Sequence, residues 1–142
     1  MDYQELLRRH DHPTHWERPP GCDWQRAENQ FAQFVESLSA ALGTTLHSET
    51  GSYIQDASFH SEITLPLQNP LVAWIRFSNF GNMVTVSNDN PVPEGTLQVI
   101  QNLLAQHGYV YIPAEVLHTP YDGHAAGVGW IRSWWIRYFD WL

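Results

Sequence analysis

The chain contains no lysine; its seven basic residues are Arg8, Arg9, Arg18, Arg26, Arg76, Arg132 and Arg137. Without lysine there is no Schiff-base chemistry. Between Ala27 and Ile131 the single basic residue Arg76 faces nine acids, and the formal net charge is −8. A surface so poor in cations repels phosphate, which argues against nucleic-acid partners and against anionic membranes. A basic protein would instead be attracted to it. The one cysteine, Cys22, excludes an internal disulfide and agrees with a reducing compartment. No apolar run approaches the ~18 residues of a membrane span. The opening MDYQELLRRHDHPTH lacks the apolar core of a secretory signal. The expected location is therefore the cytoplasm. HExxH, paired CxxC, GxSxG and Walker A patterns are missing, and Gly127-Val128-Gly129 lacks the third glycine of a dinucleotide loop.

What remains is an ordinary globular composition, 43% hydrophobic over 142 residues, which fits a single domain spanning 1–142. Residues 1–23 read as an irregular arm broken by Pro13, Pro19, Pro20 and Gly21, with a short helix over Asp2 to Arg9. Asp23 is a suitable N-cap for a helix from Trp24 to Leu42, whose Phe31, Phe34, Val35, Leu38 and Leu42 fall on one face before Gly43 stops it. Strands are expected near 57–65, over Leu71 to Ser78 and over Met83 to Ser87, with an earlier one near 44–48; Asn79 to Asn82 makes a hairpin turn. A second helix runs from Glu94 to His107, and YVYIP (109–113) is a strand. Trp130 to Trp141 carries aromatics on both alternating parities, which reads as a strand covered on both sides. The fold class is α+β: a mostly antiparallel sheet with two main helices packed on it, in the order α-β-β-β-α-β-β.

His10, Asp11, His12 and His15 form the one metal-like cluster, since imidazole and carboxylate are zinc ligands. It departs from the His-x-His-x-Asp-His order of metallohydrolases, because Thr14 stands where Asp is needed. No metal and no cofactor is expected, and no catalytic residue is assigned. A small hydrolase using this cluster, or a cleft around Tyr121, Asp122 and His124, is one alternative. A carbohydrate or small-ligand module is another, because aromatic platforms bind sugars.

Seven tryptophans are many for this length. Trp74, in the central hairpin, is expected to fill the core. Trp130, Trp134, Trp135 and Trp141 crowd one segment, and Trp, Tyr and Arg are enriched at binding hot spots. Arg137, set among these rings, is expected to pair with a buried acid or stack on an aromatic.

WIRFSNFGNMVTV (74–86), GYVYIP (108–113), and PYDG (120–123) followed by WWIRYFDWL resemble small bacterial immunity proteins of polymorphic toxin and contact-dependent inhibition systems. The resemblance covers Trp74 to Leu142. It implies no catalysis, but tight stoichiometric binding to one cognate toxin domain. Many such toxins are nucleases with basic active sites, which an acidic partner could occupy. The expected toxin-binding face combines Asp89, Glu94, Glu115, Tyr121 and Asp122 with Trp134 and Trp141.

Overall fold

A computed structural model of the chain describes residues 1–51, 54, 57–68, 70–123 and 129–141. Helix α1 spans Tyr3–Arg9 and α2 spans Trp24–Leu42. Asp23 caps α2 by accepting from the Arg26 amide at 3.1 Å, satisfying one of the free amides at a helix start. Gly43 ends it in the left-handed region at φ 67°, where a side chain would be strained. Four strands follow: β1 (His47–Thr50), β2 (Phe59–Pro66), β3 (Val72–Ser78) and β4 (Met83–Val86). Then come α3 (Glu94–Gln106), β5 (Val110–Tyr111), α4 (Ala114–Leu117) and α5 (Trp134–Phe139).

The sheet order is β1-β2-β3-β4-β5. The first three pairings are antiparallel and β4 with β5 is parallel, with α3 as the crossover, so the sheet is mixed. The β3–β4 turn places Gly81 at φ 61° and Asn82 at φ 54°; Gly and Asn are the residues that tolerate this. On one face, Ile63, Ile75, Phe77, Val84 and Val86 pack with Phe31, Phe34 and Leu38 of α2 and Ile100 and Leu104 of α3. A second cluster joins Leu7 of α1 to Phe80, Met83, Ile112, Leu117, Trp134, Tyr138 and Phe139. Among the described residues, no helix is long and apolar enough to cross a membrane.

The α+β class holds, but two details change. The segment read as a final strand is the helix α5, so the chain ends α-β-α-α. Ser133 caps α5 through the Ile136 amide at 3.3 Å. Trp134, Arg137 and Tyr138 are buried together, because i, i+3 and i+4 share a helix face. The arm is irregular after α1, as expected, and it is held in place. Leu7 lies in the second core, and the carbonyls of His12, His15 and Trp16 accept from Arg137. Finally, Trp74 does not fill the core: it is 40% exposed. Successive strand residues face opposite sides, and Ile75 and Phe77 take the side toward α2.

Candidate functional site

That alternation builds a second sheet face. Val72, Trp74 and Arg76 of β3 point away from α2, and their register partners Pro66, Thr64 and Glu62 of β2 share that face. Across β1, His47 pairs with Thr64 and Glu49 with Glu62, which extends the face to the sheet edge. Helix α5 covers the part over Arg76 and leaves the rest open. Val72 (40%), Trp74 (40%) and Trp141 (47%) are exposed there.

Arg76 joins these rings. Its guanidinium carbon lies 4.5 Å from the Phe59 ring centre, 5.3 Å from that of Trp74 and 5.7 Å from that of Trp135. The Trp141 ring meets Phe59 edge-on at 5.1 Å. Arg76 Nε donates to Glu62 Oε1 at 3.0 Å and Nη1 to the Phe139 carbonyl at 2.9 Å. The only arginine of the long acidic stretch is thus buried and neutralised. Glu49 and Asp140 keep their carboxylates partly in solvent at the rim. The face therefore offers aromatic and aliphatic surface edged by negative charge.

Beyond Phe59 the surface drops into a cleft of about 530 Å³, lined by Glu17, Trp24, Glu28, Ile54, Phe59 and His60, among others. A register shift between Phe59 and Ser61 turns His60 to the α2 side. There it lies against Trp24, Phe31 and Phe77, with Nδ1 2.7 Å from Ser61 Oγ. Burial lowers its pKa to about 4, so the imidazole is neutral near pH 7. Asn79 Nδ2 donates to the carbonyls of Glu17 (2.6 Å) and Ala57 (3.3 Å), which fixes the arm as one wall.

The residues expected to bind a toxin do not assemble as one face. Trp134 is wholly buried and stacks on Tyr138. The Tyr121 hydroxyl donates to Asp11 at 2.5 Å and its ring packs on Trp134. Asp89 accepts from the Tyr111 hydroxyl at 3.0 Å and the Ala114 amide at 3.4 Å, holding the start of α4. Burial and this acceptor push the Tyr111 hydroxyl's pKa up. Asp122 accepts from Arg8 at 2.6 Å; this hydrogen bond holds its carboxyl below the usual range. Glu94 and Glu115 are exposed, in the first turns of α3 and α4. Of that set, Trp141 alone lies on the aromatic face. Val72, Arg76 and Glu49 were not singled out for it. The available signal was parity: Trp74 and Arg76 alternate with Ile75 and Phe77.

The histidine cluster is dispersed. Asp11 is buried against Arg137. His12 Nδ1 accepts from the amides of Thr14 and His15, both at 3.1 Å. The His10 ring lies over Gly81, where an added Cβ would meet it at 2.5 Å. Among the described residues, no three His, Cys, Asp or Glu side chains are grouped to hold a metal ion. His124 lies outside the described residues. Cys22 is half-buried, and burial raises its thiol pKa, which disfavours the reactive thiolate.

Comparison with known proteins gives no match to a family, a curated protein or a solved structure.

Proposed function

We propose that this chain is a cytoplasmic immunity protein that neutralises a bacterial toxin domain by stoichiometric binding, without chemistry of its own. The observation that carries this reading is the open aromatic sheet face around Trp74 and Trp141 with its acidic rim. Contiguous exposed rings and aliphatics on a small domain favour a partner over water. Glu62 and Asp140 both pair with Arg76, so this one cation is outnumbered, and the partly exposed carboxylate of Glu49 adds a further negative charge; the balance favours a basic partner surface such as a nuclease's. The hydrolase alternative draws no support from the N-terminal cluster, whose Asp11 and His12 are committed to Arg137 and to local amides.

The test is co-expression with the toxin encoded beside this gene. Wild type protects the cells and co-purifies with the toxin domain. The Trp74→Ser/Trp141→Ser variant, folded but stripped of both rings, does neither. Full protection by that variant would remove the face from the proposal, and a neighbouring gene unrelated to toxins would remove the function.

A further inference from the structure

The cleft beside Phe59 is chemically distinct from the open face. Trp24 and Phe59 supply aromatic walls, and Glu17 and Glu28 bring two carboxylates. Neither carboxylate makes a hydrogen bond or ion pair among the described residues. His60 adds no positive charge, because burial keeps its ring neutral. Asn79, at the back, turns its amide nitrogen to two carbonyls. The volume, about 530 Å³, exceeds what one side chain needs and is typical of small-ligand pockets. The chain also supplies its own indicator. The guanidinium of exposed Arg18 lies over the Trp24 ring at 5.9 Å, so this wall already accommodates that group.

We infer that the cleft is an arginine-recognition site: a guanidinium stacks on Trp24 and is held by the carboxylates of Glu28 and Glu17. A planar cation with five donors suits this combination better than ammonium, because it stacks and bonds carboxylates side by side. Arg18 acts as the placeholder that an incoming arginine displaces. The inference rests on the proposed function only for the source of that arginine, an anchor residue of the bound protein. The site's preference is a property of this chain alone.

The test uses the full ¹⁵N-labelled chain and N-acetyl-arginine amide, with the neutral N-acetyl-citrulline amide as control. The Trp24 indole N–H signal, identified with Trp24→Phe, is followed by NMR. The arginine amide should shift it saturably, and the citrulline amide should not saturate over the same range. Glu28→Gln, on the half-buried rim, should weaken binding by about tenfold, while Arg18→Ala should strengthen it. Equal responses to both amides, an unaffected Glu28→Gln variant, or no saturable shift in the wild type would each overturn the inference. So would loss of binding in Arg18→Ala, which would make Arg18 a part that builds the cleft rather than a placeholder within it. The Trp74→Ser/Trp141→Ser variant should keep the response, so failure of the toxin-binding face and failure of this site are separately visible.

Discussion

Arg137 and Asp11 lie 126 positions apart in the sequence and 2.7 Å apart in space, and both side chains are wholly buried. The guanidinium also donates to the carbonyls of Trp16 (3.0 Å), His15 (2.9 Å) and His12 (3.3 Å). Its carbon lies 4.5 Å from the Phe80 ring centre. One side chain therefore gathers the arm onto the C-terminal helix. Removing one partner strands a buried charge, which costs about 3–5 kcal/mol. Asp11→Ala should lower stability by that amount in urea titration. Arg137→Lys should destabilise too, because an ammonium has too few donors and the wrong shape for this fork. A loss below about 1 kcal/mol in Asp11→Ala would mean that the pair behaves as a solvated one.

The same charges in solvent make the contrast. Arg8 and Asp122 meet at 2.6 Å, but each side chain is about half exposed (49% and 54%). Water and salt screen such a pair, and two flexible chains are ordered to form it. Asp122→Asn should leave the urea midpoint unchanged within error, at low and at moderate salt. A clear drop at both would give the Arg8 contact a structural role.

Deleting residues 133–142 should abolish cooperative unfolding, read by near-UV circular dichroism. Trp134, Tyr138 and Phe139 are three of the eight buried residues in the cluster that holds Leu7, Phe80 and Met83, and Arg137 leaves with them. A truncated chain that still melts cooperatively would show that the first core suffices alone.

This segment also marks the limit of what the sequence made legible. Where apolar residues repeat on one face between clear stops, as from Asp23 to Gly43, the helix was readable to the residue. The β3–β4 hairpin was readable from its β-formers and its Gly-Asn turn. In α5, rings occupy both faces because both are covered: Trp134, Tyr138 and Phe139 by the second core, Trp135 beside Arg76. Such a pattern has no polar side, so alternation and helical period fit it equally well. The Ser133 cap was the discriminating signal. That Arg137 pairs with a buried acid was readable because an arginine among rings must find an acceptor, but it joins a helix to the arm rather than holding a strand in register, and its partner Asp11, in a polar arm far upstream, gave no sign. The open face was hidden for a related reason: exposure of Trp74 depends on which strand parity faces the helices.

His60 sets a pH dependence. In the fold its pKa falls from 6.5 to about 4, through burial. The unfolded chain thus binds a proton below about pH 6.5 that the native chain refuses until about pH 4. Its contribution is full above pH 6.5 and declines as pH falls toward 4, by about 3 kcal/mol in total. Urea titrations at pH 7.5 and pH 4.5 should therefore differ less for His60→Phe than for wild type. Equal pH sensitivity in the two would place the proton uptake elsewhere.

The central claim is that Trp74 and Trp141 anchor a protein partner. Isothermal titration with the toxin domain that the proposed function takes as partner tests it most directly. The expected result is one-to-one binding by wild type, weakened about a hundredfold or more by Trp74→Ser/Trp141→Ser, as removal of two hot-spot rings implies. Because both side chains are partly exposed, the variant should keep its fold and its urea midpoint should move little. Binding of the variant at wild-type affinity would contradict the account.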